Sequence, residues 1–317
     1  MSLLRIVQTD PVVSMDEPLS QSGFVGRLTI GMPVYNNAPT IRRAVDSLLG
    51  QSFGDFRLLI SDDGSTDETP DILDSYAELD SRVEVVRQPA NLNYGNFRFV
   101  LNAATTPLFM FAAGDDYWHP DYVARMIAEL DGDPAAVCAV SRVAFVKGSE
   151  FVELSAGTEA LTSDPVSNLV RYLESPNDNS RMYGVFRTPA AQQAFPKHDF
   201  HAFDWAFSAG TLLAGKHIEV PEVLMWRDRT EPARYTEYVR RDANSPVDRI
   251  FPLLPFTRDI LGRLRVPRTY ALLRHLFWLN AGQHLVYLRR YHPWVATTSQ
   301  RVITSAAWAA RRIRSFV

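Results

Sequence analysis

Hydrophobic and polar positions switch repeatedly between two periods along the first 140 residues. Residues 28–34 (LTIGMPV) form an apolar run of strand length closed by the turn residues Tyr35-Asn36-Asn37-Ala38-Pro39. Ile41, Ala44, Val45, Leu48 and Leu49 then recur at helical spacing. The plan repeats at once. Residues 56–61 predict a strand and Asp62-Asp63-Gly64 a turn, while Ser65 with Glu68 has the spacing of a capping box ahead of a helix carrying Ile72, Leu73, Tyr76 and Leu79. A third strand is expected over 83–87, a helix over 93–104 and a fourth strand over 108–113. Val123, Met126, Ile127 and Leu130 mark a further helix, and 135–141 a further strand.

Strands alternating with helices predict the α/β class, with a mostly parallel sheet flanked by helices and ligands held at the carboxyl ends of its strands. Three polar clusters fall at such ends, at 33–36, 62–65 and 114–116, and should converge on one cleft. Neither G-x-G-x-x-G after the first strand nor G-x-x-x-x-G-K-[ST] anywhere is present, which argues against a dinucleotide dehydrogenase and a P-loop enzyme.

The cluster at 114–116 carries the sharpest chemistry. Two adjacent carboxylates, Asp115 and Asp116, repel each other unless something compensates them, and a hard divalent cation such as Mg²⁺ or Mn²⁺ does so while leaving positions for phosphate oxygens. An Asp-Asp turn capping the next helix accounts for the same residues.

Taken together, TIGMPVYNNAPTIRRAVDSLLGQSFGDFRLLISDDGSTDET and NLNYGNFRFVLNAATTPLFMFAAGDDYWHPDYV resemble the nucleotide-sugar-binding half of family 2 glycosyltransferases, which have the GT-A fold. The resemblance is strong over about residues 28–130 and weaker to about 230. It implies an inverting transfer from a nucleotide-diphosphate sugar (UDP-, GDP- or dTDP-linked) to a hydroxyl of a glycan or lipid-linked glycan, in surface polysaccharide synthesis. Pro33 and Tyr35 would line the nucleobase pocket, Asn36 would belong to the donor site, Asp63 would accept a base N–H, and Asp62 would cap locally. Asp116 would bind the metal and Asp115 the ribose or the metal shell. The family's D-x-D is incomplete, because Ala113 occupies its first position. Arg98 would neutralise a phosphate or stand as an exposed helix arginine.

In the second half the resemblance carries Tyr183, Gly184 and Arg187 onto acceptor-side contacts. For Gly184 a tight backbone approach within a strand is an equal reading. Asp204, at the start of a helix, would be the catalytic base, although Phe203 replaces the acid that often precedes it, and a plain N-cap is the alternative. Arg227, rather than Arg229, would contact the diphosphate after a strand. No histidine ligand is expected, and His198 and His201 lack a third ligand at zinc spacing. Two other readings compete: a non-catalytic sugar-nucleotide-binding or scaffold relative, and a sugar nucleotidyltransferase, which the loop MPVYNNAPT disfavours.

Composition changes the picture mainly at the end of the chain. Of 317 residues 46% are hydrophobic and 22% charged, and the net charge is -3. Residues 261–317 hold ten arginines and no Asp or Glu, so the preceding residues carry -13. Helical stripes are expected over about 270–290 (Leu272, Leu273, Leu276, Leu279) and 295–317 (Val302, Ala306, Ala309, Ile313, Phe316). The first should pack on the domain or on a second subunit of a homo-oligomer. The second is read as packing in the same way or as meeting an anionic membrane surface. Nucleic acid is not expected as a partner. The lone Cys138 reads as a core residue. No leader pattern or run of 18 apolar residues is present, so a cytoplasmic protein, at most peripheral on the membrane, is expected. The expected organisation is an extension (1–27), a nucleotide-sugar half (28–135), an acceptor half (136–232) and a basic helical region (233–317).

Overall fold

The computed structural model describes residues 26–229, 245–264 and 270–291. Its strands, in chain order, are β1 (Leu28–Val34), β2 (Phe56–Asp62), β3 (Val83–Arg87), β4 (Leu108–Phe111), β5 (Tyr117–Trp118), β6 (Ala136–Lys147), β7 (Glu150–Leu154), β8 (Val185–Arg187) and β9 (Lys216–Asp228). They form one sheet in the order β3-β2-β1-β4-β8-β6-β9-β5, with β7 paired to β6. The pairs β2-β3, β1-β2, β1-β4 and β6-β9 are parallel; β8 is antiparallel to both β4 and β6. A single sheet thus runs through the segments on either side of residue 135.

The helices that cover it are α1 (Ile41–Leu49), α2 (Thr69–Leu79), α3 (Tyr94–Asn102), α4 (Tyr122–Gly132), α5 (Pro165–Glu174), α6 (Thr188–Ala194) and α7 (Phe203–Ala214). The period of two along β4 explains the layering. Leu108 and Met110 enter a core with α1 and α4, whereas Phe109 and Phe111 enter one with α3, α6 and α7. Because both faces are covered, these strands read as continuous apolar runs. Phe111 meets Phe109, Phe207 and Phe97 at ring-centroid distances of 4.7, 5.5 and 5.7 Å. Each ring so buried contributes roughly 2–3 kcal/mol. Cys138 is buried in the same cluster.

Several local expectations need correction. Glu68, not Ser65, stands at the N-cap of α2 and makes no side-chain cap bond, and Ser65 Oγ accepts from the Asn36 amide rather than capping the helix. Leu79, the last residue of α2, is 82% exposed and does not join the buried stripe. The strand expected over 135–141 continues to Lys147, and Arg227 lies inside β9 rather than after a strand. On the helix Tyr270–Tyr291, Leu272 and Leu276 are buried in a cluster with α5 and α7, as a packing stripe requires, but Leu273 is 43% exposed. The stripe at 295–317 lies outside the described residues.

Candidate active site

The loops that follow β1, β2 and β4 are stitched together at the carboxyl ends of those strands. Asn36, in the left-handed region with φ 52°, donates its amide to Ser65 Oγ (2.8 Å) and accepts from the Thr66 amide through its side chain (2.8 Å). The Asn37 amide donates to Thr69 Oγ1 and its side chain accepts from the Tyr35 amide. A Cβ on Gly114 would lie 2.9 Å from the Asn37 side chain, so only glycine lets the two turns approach this closely. The three polar clusters expected to converge therefore do so. Tyr35 is 47% exposed at this edge.

Asp63 is buried and accepts the amides of Leu92 (2.6 Å) and Asn93 (3.0 Å). Burial raises its carboxyl above the usual range despite those bonds. Asp62 accepts the Ser65 amide and closes its own turn.

Beyond Gly114 the chain turns under β9. Asp116 is 3% exposed and its Oδ1 accepts the Asp228 amide at 3.1 Å. Its Oδ2 receives no hydrogen bond from the described residues and faces Arg227 Nε at 3.5 Å. Burial pushes the Asp116 carboxyl up to about 7, with Arg227 opposing and Asp115 reinforcing the rise. Burial also raises Asp115, against the pull of Arg227. Arg43 of α1 braces the turn: it donates to the Asp115 carbonyl (2.9 Å) and to Asp228 Oδ2 (2.8 Å), and lies 4.6 Å above the Tyr117 ring.

Arg227 is the hub. It donates to the Asp178 carbonyl (3.3 Å) and to Ser180 Oγ (3.1 Å), and its guanidinium stands 4.8 Å from the centre of the Tyr183 ring. Burial alone would make it give up its proton more readily, but Tyr183, Asp116, Asp178 and Asp115 hold it above its ordinary range. Asp178 is itself held below the carboxylate range: burial opposes this, and the Ser180 and Ser155 hydroxyls, the Ser180 amide and Arg227 overcome it.

Asp204 is the second residue of α7, whose N-cap is Ala202 rather than the aspartate, and Phe203 anchors the helix by packing its ring 4.4 Å from Tyr94 and 5.2 Å from Phe97. That packing accounts for an aromatic residue ahead of Asp204 in place of an acid. Burial raises the Asp204 carboxyl, while a hydrogen bond from Asn179 Nδ2 to Oδ2 (3.2 Å) and the field of Arg227 lower it. Asp115, Asp116, Tyr183, Asp204 and Arg227 thus share one electrostatic environment.

Other expected site residues are engaged elsewhere. Arg98 pairs with Asp199, donates to the Pro196 carbonyl at 3.4 Å and lies over the Phe195 ring. Arg187 donates to the carbonyls of Ala136 (2.8 Å), Leu130 (2.7 Å) and Asp133 (3.4 Å), closing the end of α4. Since β8 is antiparallel to β4, with Met110 opposite Val185 and Leu108 opposite Arg187, Arg187 lies at the end of β4 away from Asp115 and Asp116. A Cβ on Gly184 would meet the Ala139 carbonyl and Cys138 Sγ, both at 2.7 Å, which supports the tight-approach reading. Arg229 sits over Phe145 and pairs with Glu153 at 2.5 Å. The residues that sequence reasoning missed are Arg43, Asp178, Asn179, Ser180 and Asp228. The only signal for three of them was the polar run Asn177-Asp178-Asn179-Ser180 ahead of Tyr183.

Among the described residues no three His, Cys, Asp or Glu side chains form a ready-made metal set. Two carboxylates, one with an unsatisfied buried oxygen, nevertheless suit a hard cation that draws its remaining ligands from water and phosphate. No helix of the described residues is long and apolar enough to cross a membrane.

This sheet, with acids at its switch between parallel and antiparallel strands, is the GT-A architecture. The chain superimposes on the crystal structure of S. aureus TarS 1-349 in complex with UDP-GlcNAc with a TM-score of 0.56 and 18% identity, covering 82% of this chain and 81% of that one. The family model for glycosyl transferase family 2 matches residues 29–194, just over half of the chain, and the chain belongs to that family. It is similar to the putative glycosyltransferase EpsH of Bacillus subtilis (strain 168), 36% identical over 95 residues, which are 30% of this chain and 27% of that relative. It is also similar to the chondroitin synthase of Pasteurella multocida (strain Pm70), 33% identical over 119 residues, 35% of this chain and 12% of that one. The matched stretches thus span less than a third of these relatives' own lengths.

Proposed function

We propose that the protein transfers a sugar, with inversion, from a nucleotide-diphosphate sugar to a glycan hydroxyl, in the assembly of a surface polysaccharide. The observation that carries this reading is that Arg227 stands in the field of both the Asp115-Asp116 pair and Asp204. An inverting transfer needs positive charge at the departing diphosphate and a base at the acceptor. Asp204 takes the proton of the acceptor hydroxyl as its oxygen bonds the anomeric carbon. The bond from that carbon to the diphosphate breaks with its electron pair on the diphosphate, which Arg227 stabilises. Asp116, with Asp115, would hold a divalent cation, Mn²⁺ or Mg²⁺, which supplies further positive charge to the diphosphate when bound. Pro33, Tyr35, Asn36 and Asp63 line the nucleobase end, and the exposed Tyr35 ring offers a flat face to a base. Tyr183 borders the acceptor side. The likeness to a protein solved with UDP-GlcNAc, and to one named a chondroitin synthase, supports a donor of this chemistry.

The basic residues 295–317 are the part of the chain suited to an anionic membrane surface on which a lipid-linked acceptor would lie. Sedimentation with anionic vesicles, with and without those residues, tests that assignment; equal binding by both forms would remove it.

The donor reading is tested by calorimetric titration of UDP, GDP and dTDP, with and without Mn²⁺, into the intact protein and Asp116→Ala. Metal-dependent binding of one nucleotide, weakened at least tenfold in the variant, is expected. Absence of binding under every condition would leave a scaffold role as the better account. Asp204→Asn should lose turnover by at least 10³-fold while keeping nucleotide affinity.

A further inference from the structure

The acid at the start of α7 lacks a neighbouring carboxylate, yet it does not stand alone. Asn179 precedes the short 3₁₀ helix Ser180–Tyr183, is 1% exposed and has left-handed backbone angles, φ 52° and ψ 34°. Asn is among the few side-chain-bearing residues that accept this conformation readily. Its side-chain oxygen accepts the hydroxyl of Tyr172 at 2.9 Å, and its Nδ2 donates to Asp204 Oδ2 at 3.2 Å. A primary amide has one donating and one accepting end: the carboxylate, which only accepts when ionised, takes the donating end, and the tyrosine hydroxyl holds the accepting end on the far side. Tyr172 is 3% exposed and is set in turn by the Arg181 guanidinium, 5.5 Å from its ring centre. Arg181 is held by the Glu159 carbonyl at 3.1 Å and by His217 Nδ1 at 3.3 Å.

We propose that Asn179, oriented by Tyr172, is the positioning residue for the Asp204 carboxylate, fixing the plane in which it meets the acceptor hydroxyl. The inference rests on the reading of Asp204 as the base. A neutral amide suits the task better than a lysine would. It directs a carboxylate oxygen through one hydrogen bond without adding a charge that would strip the base of its proton affinity. The same bond favours the ionised form of Asp204, so its loss should make the carboxyl harder to ionise.

Two variants separate positioning from mere support of the fold. Asn179→Gly keeps the left-handed backbone and removes the amide; Tyr172→Phe keeps the ring and frees the amide to rotate. Turnover is read as nucleoside diphosphate released from UDP-GlcNAc, UDP-glucose, GDP-mannose and dTDP-glucose with water as acceptor. Ionisation of Asp204 is read directly from ¹³C-carboxyl resonances assigned with Asp204→Asn. Asn179→Gly should lower kcat at least tenfold, leave the donor KM within threefold and move both the acid limb of the kcat profile and the Asp204 titration to higher pH. Tyr172→Phe should move them in the same direction by less, and it carries the test should the glycine variant fail to fold. An unmoved Asp204 titration in the folded variants, or a kcat loss matched by a rise in KM, would overturn the proposal. Turnover retained by Asp204→Asn would instead remove the base reading, and the positioning role with it.

Discussion

Arg227 Nε lies 3.5 Å from Asp116 Oδ2, and neither atom has a hydrogen-bond partner among the described residues. The guanidinium is fixed instead from its other end by the Asp178 carbonyl and Ser180 Oγ. Its edge toward Asp116 is therefore held in place with donor capacity still unused, the condition for receiving a phosphate oxygen without reorganisation.

Replacing that planar fork by a point charge should preserve the fold and damage the chemistry. Arg227→Lys is expected to lower turnover about 10–100-fold and weaken UDP, GDP or dTDP binding, because an ammonium cannot span Ser180, the Asp178 carbonyl and a phosphate together. Steady-state diphosphate release and calorimetry on the same preparations check this. Unchanged nucleotide affinity would take Arg227 out of the donor site.

How much of this arrangement was legible follows from what is local. Asp115, Asp116 and Asp63 announce themselves because turn residues end apolar runs, and a parallel sheet brings adjacent strand ends together. Asp204 was readable only through the family resemblance, since a lone acid at a helix start is more simply an N-cap. Asp178 to Ser180 were not readable, because they enter the site through a loop that returns from α5 with no periodic pattern of its own. The distance of Arg187 from Asp115 and Asp116 was hidden for a different reason. Its three-residue strand runs against β4, and strand direction is a property of pairing rather than of sequence.

The buried acid should cost stability where it serves the site. An unfolded aspartate ionises near 3.8, whereas folded Asp116 is pushed up to about 7. Between those values the unfolded chain has released a proton that the folded chain retains, so stability falls as pH rises and the loss is complete above about 7. In EDTA, Asp116→Asn should therefore be more stable than the parent at pH 8, by about 1–4 kcal/mol on a scale of 1.36 kcal/mol per unit. The gap should narrow to less than half by pH 5 and close only near pH 3.8. Urea unfolding at the two pH values measures it, and a gap that widens toward acid would contradict the assignment.

His217 makes the opposite demand. It is fully buried beside Arg181, and burial first, then that cation, lower its affinity for a proton well below the ordinary histidine value of 6.5. As pH falls below 6.5 the unfolded chain gains a proton that the folded chain refuses, so stability drops toward acid, by up to about 1.4 kcal/mol per unit. His217→Gln keeps an acceptor for Arg181 and removes the titration. Its stability should change less between pH 6.5 and 5.5 than that of the parent protein, whatever its starting value.

Arg187 provides the converse test, of a residue whose type suggests ligand binding and whose contacts do not. Its guanidinium donates to the carbonyls of Leu130 and Ala136, at the end of α4 and the start of β6, and to that of Asp133, which also accepts the Ala136 amide. Hydrogen bonds from a charged donor to half-buried carbonyls are worth more than neutral ones, and water can replace some of them when the donor is lost. Arg187→Leu should accordingly destabilise the fold by about 2 kcal/mol while leaving nucleotide affinity and the donor KM within twofold of the parent. Chemical denaturation and calorimetry on one preparation separate the two effects. A variant of undiminished stability that lost turnover would return Arg187 to the acceptor side, where the family resemblance puts it.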